Sequence, residues 1–426
     1  MISANNNEVF SPDFLKRVRE KFWFVDQDPL NDFRLFFENA GGALTLKSVT
    51  ERDSQIISLP DCASRFNKTA RLLGDIVEKG KDDFRLLVGA KKGDIVTALT
   101  ASQVLFQITK AIIENAPGTN VVTTRLEHPA SYDSAKYYAA KTGKEFRVAA
   151  INPVTGSVDT TEILSKIDRN TCLLSFICAS NMTGAVLETK QIITAARKIK
   201  PDLFILVDAV QHAPHALIDV EDWDVDGLVI APYKMFGKRG FGIGYISDRV
   251  ANMEHEGIAG KKKDRWAIGS ADPSCYSSIS CLTDYIAWIG GEHGSSSDRR
   301  SQIAHGINLI HAYEHVLLNR LLQGSATQAG LKQINGVSVH CVPDAPADRD
   351  LILAITLAGQ EPTITTEKYR NENIIVFERV ATSPFSQRIM QDLQLPGIVR
   401  VSPMHYNTVE EIDLFLKTTA KLAMQN

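Results

Sequence analysis

Between about Asp94 and Tyr245, short apolar runs alternate with amphipathic stretches, and this alternation restricts the fold more than any other feature. Val121–Arg125, Phe146–Ile151, Cys172–Ile177, Leu203–Ala209, Gly227–Ala231 and Phe241–Ser247 read as strands. Helices are predicted between them. One opens at Pro129, a favoured first helical position, and ends near Gly143. Another runs from about Thr189 to Ile199, with Ile192, Ile193, Ala196 and Ile199 on its apolar side and Pro201 just beyond. Such alternation predicts an α/β fold, a mostly parallel central sheet with helices on both faces. Ligands in these folds sit beyond the carboxyl ends of the strands.

A chain of 426 residues has room for two domains. Gly290–Ser297, with three glycines and three serines, reads as a boundary. A long helix is predicted after it, with Ile303, Ile307, Ile310, Leu317 and Leu321 at core spacing. A last helix opens on Thr408 and Glu411, a capping-box pair. The expected division is an amino-terminal arm over residues 1–35, a large α/β domain over 36–292 and a smaller α+β domain over 293–426, with the arm packed on one of them.

A net charge of −3 gives no reason to expect nucleic acid or membrane partners. No apolar run reaches the length of a membrane span, and Met1–Val9 lacks an apolar signal core. Cys62, Cys172, Cys178, Cys275, Cys281 and Cys341 form no CxxC pair, so neither a zinc site nor a disulfide framework is expected. A reducing, cytoplasmic location is the expectation. His311 and His315 stand four apart, yet Ala312 takes the place of the HExxH carboxylate, so no metal site is expected there. GKRGFGIG (Gly237–Gly244) lacks the strand-before, helix-after setting of a dinucleotide loop. Its glycines fit close backbone packing beside Lys234. Lys261–Lys262–Lys263 reads as a solvated loop, or a mobile flap over the site.

The chemistry concentrates in FILVDAVQHAPHALIDVEDWDVDGLVIAPYKMFGKRGFGIG (Phe204–Gly244). One apolar strand delivers Asp208 at its carboxyl end; the next delivers Tyr233 and Lys234. A lysine can condense with an aldehyde, and a buried carboxylate can keep a pyridine nitrogen protonated. On spacing alone, a turn-capping Asp208 and a solvated loop Lys234 fit equally well.

The run VDAVQ…APYKMFG resembles the fold-type I enzymes called class V aminotransferases, which use pyridoxal 5′-phosphate (PLP). It is especially similar to the branch with cysteine desulfurases, selenocysteine lyases and isopenicillin-N epimerase. The resemblance runs from FFENAGG (Phe36–Gly42) to VRVSPMHYNTVEEID (Val399–Asp413). It implies PLP bound covalently as a Schiff base on Lys234, with Asp208 at the ring nitrogen. Val210 and His128 would flank the ring, Gln211 would bond its hydroxyl or the lysine side, and Asn181 would lie near the hydroxyl. Asn181 and Arg400 would meet a substrate carboxylate, a group that guanidinium matches with two parallel hydrogen bonds. The bare residues also fit a helix-capping His128, a turn Asn181 and a surface Arg400.

The resemblance also places the phosphate at Thr100–Ala101–Ser102, on a helix start. Ala101 and Ala231 each lack a hydroxyl common in relatives. Tyr233 stands where many have histidine; a Tyr-Lys pair occurs in kynureninases, where the phenol helps hold the phosphate. Gly269–Ser270 resembles a segment that reaches the phosphate from a second subunit, implying a homodimer with shared active sites.

Desulfurases need a cysteine shortly before the substrate arginine, but Ile374–Val399 contains none. Thr382, Ser383 and Ser386 stand there instead, and hydroxyls are poor sulfur acceptors. The expected function is therefore action at the α-carbon of a small amino acid, by transamination or by C–S or β-elimination. Alternatives are an epimerase or cyclase of an amino-acid-derived metabolite, or a desulfurase with a non-standard sulfur acceptor. From another class comes a PLP-free dimeric scaffold, suggested by Ala101 and Ala231 and opposed by the intact Lys234, Asp208, His128 and Arg400.

Overall fold

Strands buried on both faces need apolar side chains in succession, and residues 171–177 and 204–208 supply them. In a computed structural model of the chain these runs form the centre of one large sheet. The structure describes residues 9–60, 65–261, 263–270, 272–294, 296–343 and 349–425. Cys62, Lys262, Ser295 and the Met1–Glu8 part of the amino-terminal stretch lie outside the described residues.

In chain order, α1 (Pro12–Arg19), β1 (Leu35–Phe36), α2 (Lys47–Ile57) and α3 (Lys68–Val88) lead into the sheet. Then come β2 (Asp94–Ala98), α4 (Ala101–Asn115), β3 (Asn120–Thr124), α5 (Pro129–Lys141), β4 (Glu145–Ala149), α6 (Thr160–Ser165), β5 (Thr171–Ile177), α7 (Thr189–Ile199) and β6 (Phe204–Asp208). The sheet is completed past α8 (Val220–Trp223) by β7 (Gly227–Ile230) and β8 (Gly242–Ile246), followed by α9 (Asp248–Ala251). The helices α10 (Pro273–His293) and α11 (Arg299–Gln323) come next. The carboxyl-terminal part holds β9 (Val337–His340), β10 (Leu353–Leu357), α12 (Pro362–Asn371), β11 (Ile374–Ile375), β12 (Phe377–Val380), α13 (Gln387–Asp392), β13 (Gly397–Val401) and α14 (Val409–Ala423).

Seven strands pair in the order β2-β8-β7-β6-β5-β3-β4. All neighbours are parallel except at β8, which runs against both β7 and β2. Each of the six predicted runs is a strand, its ends displaced by a residue or two. The alternation of side chains splits the core. Val121, Leu173, Leu206 and Val229 face α4 and α5, while Val122, Leu174, Ile205 and Leu228 face the other side with Phe84 of α3 and Ile286 of α10. This is the layered α/β fold that the sequence predicts.

A second sheet, antiparallel, has the order β12-β13-β10-β9. The β1 strand pairs with β11, and Glu38 bridges to Ser402, so this stretch of chain adheres to the carboxyl-terminal sheet rather than to the large one. In the arm, Phe10 stacks on Tyr313 and Phe14 on Trp288. The final helix has the expected capping box from Thr408 and Glu411. Gly290 and Gly291 are not loop residues; they belong to α10. A Cβ on Gly290 would lie 1.9 Å from Gln302 O, and one on Gly306 2.1 Å from Ile286 O, so these glycines let α10 and α11 touch backbone to backbone. Among the described residues, no helix is long and apolar enough to cross a membrane.

One glycine of GKRGFGIG positions the site. A Cβ on Gly242 would lie 2.2 Å from Ala101 N and from Thr100 C, so β8 carries the start of α4 directly on its backbone. Gly242→Ala is expected to displace that helix start at a cost of about 1–3 kcal/mol. The fall should appear as a lower thermal midpoint, and anion binding at the start of α4 should weaken in parallel.

Candidate active site

The loops that carry most of the candidate residues leave the same edge of the large sheet. The strands β3, β5, β6 and β7 are parallel, so the segments after Thr124, Ile177, Asp208 and Ile230 emerge together. They enclose a cavity of about 350 Å³ lined by His128, Asn181, Asp208, Val210, Gln211, Ala231, Tyr233 and Lys234. Thr100, Ala101, Ser102 and Arg239 line it too. Ten of the sequence-predicted residues thus share one cavity. Arg400 and Ser270 do not line it.

Lys234 is buried on a single 3-10 turn, Pro232–Lys234, that ends β7. Its Nζ donates to Gln211 Oε1 at 3.1 Å. Burial lowers its pKa to about 7, Arg400 adds to the lowering, and Asp208 opposes it. The amine is therefore partly neutral near pH 7, the form that acts as a nucleophile or a base. Asp208 is also buried, and its Oδ1 accepts from Val210 N at 3.0 Å. Burial raises its pKa to about 6. An adjacent positive charge would return it to the ionised form.

His128 is the N-cap of α5, its Nδ1 accepting from Ala130 N at 3.1 Å. The capping reading and the cavity reading are both true of this residue, and it is half-buried rather than on the surface. Burial and the Lys234 charge lower its pKa to about 4. The ring is neutral at pH 7, and with Nδ1 accepting, its proton sits on Nε2. Thr100 caps α4 by accepting from Gln103 N at 3.2 Å, which leaves Ala101 and Ser102 in the first helical turn facing the cavity. Tyr233 lies beneath Arg239, whose guanidinium carbon is 4.1 Å from the ring centroid.

Arg400 has no exposed surface. It donates from Nη1 to Asn181 O at 2.7 Å and from Nε to Glu38 Oε2 at 3.3 Å, and Nη2 pairs with Glu38 Oε1. A surface arginine is excluded. Ser270 is exposed on the loop before α10. Lys261 Nζ donates to Ala267 O, Lys263 pairs with Glu78, and His311 Nδ1 lies 3.2 Å from His215 O.

Three groups escaped the sequence reading. Glu38 and Arg379 meet Arg400 only through the tertiary fold, and nothing in FFENAGG signals the contact. Glu127 left a faint signal, a carboxylate directly before His128. It is fully buried, and its Oε1 accepts from Thr124 Oγ1 at 2.7 Å and Ile177 N at 3.0 Å. Burial raises its pKa to about 8, with Asp208 reinforcing the shift.

The folded state therefore keeps a proton on Glu127 that the unfolded chain loses above about pH 4.5. This contribution to stability falls as pH rises from there to about 8. Glu127→Gln should flatten that decline in urea unfolding and be the more stable form at the alkaline end. His128→Asn should keep the helix cap and lose only the imidazole. His128→Ala should lose both, at a further cost of about 1 kcal/mol in the same measurement.

Comparison with known proteins gives the family and the fold. A family model for class V aminotransferases matches residues 35–279, more than half of the chain. A probable cysteine desulfurase of Mycolicibacterium paratuberculosis is 25% identical over 434 residues, covering 98% of this chain. The match takes in 59% of that protein, so the chain spans about three fifths of this relative's length. An aminotransferase-like protein of Gibberella zeae is 23% identical, over 94% of this chain and 96% of its own. In the solved apo structure of a cysteine desulfurase from Thermococcus onnurineus NA1, the fold superposes with a TM-score of 0.81 at 20% identity, over 96% of this chain and 98% of that one. The chain belongs to the class V aminotransferase family of PLP-dependent enzymes.

Proposed function

We propose that the cavity holds PLP, covalently on Lys234, and that the enzyme acts at the α-carbon of a small amino acid by transamination or by elimination. The carrying observation is a buried Lys234 with a pKa near 7 in a cavity it shares with Asp208, Gln211, His128 and Asn181. The chemistry of the lining fits the cofactor. Asn181 Oδ1, an acceptor, and Gln211 Nε2, a donor, are buried without hydrogen-bond partners among the described residues, and a ring hydroxyl can serve both. The first turn of α4 supplies N–H groups for a phosphate, which offsets the hydroxyls lost at Ala101 and Ala231.

When bound, PLP supplies a ring that accepts the electrons released at the α-carbon. The chain's residues do the rest. Asp208 keeps a proton on the ring nitrogen. Lys234 Nζ takes the α-proton and returns it, steadied by Gln211 Oε1. His128 and Val210 restrict movement of the ring between them. Tyr233, half-buried at the mouth, serves the phosphate. Arg400 provides the positive charge for a substrate carboxylate. Ser270, exposed and away from its own cavity, suits donation to a second copy in a homodimer.

Sulfur transfer through a persulfide has no support among the described cysteines. Cys172, Cys178, Cys275 and Cys341 are buried, Cys281 is half-buried, and burial raises the pKa of every one of these thiols. None lines the cavity.

Adding PLP to the purified protein should give a visible absorbance band that grows between about pH 6 and 8, because the neutral amine of Lys234 increases through a pKa of about 7. Lys234→Ala should show no such band. Absence of the band in the unaltered protein would sink the proposal. A screen of small amino acids for spectral change, followed by keto-acid and ammonia assays, separates transamination from elimination.

A further inference from the structure

The arginine expected to grip a substrate carboxylate already grips one. We propose that Glu38 is an internal occupant of a carboxylate clamp formed by Arg379 and Arg400, which a substrate carboxylate displaces. The inference rests on the reading that the substrate is an amino acid.

All three nitrogens of Arg400 are engaged, two by the Glu38 carboxylate and one by Asn181 O. Arg379 Nη2 lies 3.8 Å from Glu38 Oε1, and its Nε is buried without a hydrogen-bond partner among the described residues. Two guanidinium groups therefore share one carboxylate, and the cluster carries a net positive charge. A second anion is favoured there on charge alone. The cluster adjoins the site without lining the cavity. Asn181 joins it to the cavity, and both guanidinium groups lower the pKa of Lys234.

Glu38 is placed to move. Its backbone is held without its side chain: Ser402 N donates to Phe37 O at 2.8 Å, Ala40 N to Ser402 Oγ at 3.0 Å, and Asn39 Nδ2 to Ser402 O at 2.9 Å. Its side chain keeps 14% exposure, whereas that of Arg400 has 0%. It also lies against Gly41, where a Cβ would stand 2.5 Å from Oε1. Rotating the Glu38 side chain outward opens Arg400 while β1 and the Ser402 contacts stay in place. Glu38 then selects for ligands that bring their own carboxylate, because an uncharged group leaves the buried Arg400 and the half-buried Arg379 without an anion. It also lowers the affinity for those that do, by competition.

The test uses the full-length protein loaded with PLP and calorimetric titration with propionate, which has the carboxylate but no amino group. Glu38→Gln should bind propionate roughly tenfold or more tightly than the unaltered protein, the equivalent of one charge-assisted hydrogen bond released. Propionamide should show no such gain, and Arg400→Gln in the Glu38→Gln background should abolish it. Glu38→Asp, one methylene shorter, serves the same comparison if Glu38→Gln does not fold. Equal affinity in the variant and the unaltered protein would overturn the proposal, as would a gain that survives Arg400→Gln. Propionate binding needs no turnover. A gain without turnover of any amino acid overturns the functional reading and leaves the clamp standing; turnover without the gain does the reverse.

Discussion

Parallel pairing of β6 with β7 is the constraint from which the site follows. The register sets Asp208 beside Val229, so the carboxylate ends one strand where its neighbour is about to turn toward Lys234. Parallel strands need crossovers, and these crossovers bury both faces of the sheet. The two charged groups consequently emerge inside the protein, at an edge where water is scarce. Their ionisation is then decided by one another and by a few fixed dipoles, more than by solvent.

The electrostatics of the cavity follow from that enclosure. Lys234 is lowered toward neutrality, His128 is held neutral, and Asp208 and Glu127 are both raised. Each group is displaced toward its uncharged form, the direction that desolvation dictates. Farther back, Arg400 and Glu38 are paired and hydrogen-bonded. A polar but largely neutral cavity backed by a cationic cluster suits a ligand that brings its own anionic groups.

The carboxyl-terminal sheet and the segment around β1 build that rear wall together. The bridge from Glu38 to Ser402 and the pairing of β1 with β11 bring FFENAGG and VRVSPMHYNT into contact, although the whole large sheet separates them in sequence. A third layer lies behind it. His405 Nε2 meets Tyr285 OH at 2.7 Å, and Glu314 takes the His405 N–H and lies 2.6 Å from His215 Nδ1. This buried network ties α10, α11 and the loop after β6 to the carboxyl-terminal sheet. The network is only partly satisfied, because His215 Nε2 and His405 Nδ1 are buried without a hydrogen-bond partner among the described residues.

What the sequence determined by itself was local. Apolar runs and their spacing located six strands, the starts of α5 and α14, and the strand-end positions of Asp208 and Lys234, because hydrophobic period and capping are properties of short segments. The family resemblance added His128, Asn181 and the α4 start, and the structure gathers these around one cavity. The strand β2 was not legible, since five residues of mixed burial carry little period. The glycines of α10 looked like a linker because their role, a backbone contact with α11, exists only once the helices cross. Tertiary structure alone decided that Arg400 is buried, that Glu38 holds it and that Arg379 stands beside them. Those contacts join residues hundreds of positions apart, and no pattern along one segment encodes which distant carboxylate a guanidinium will meet.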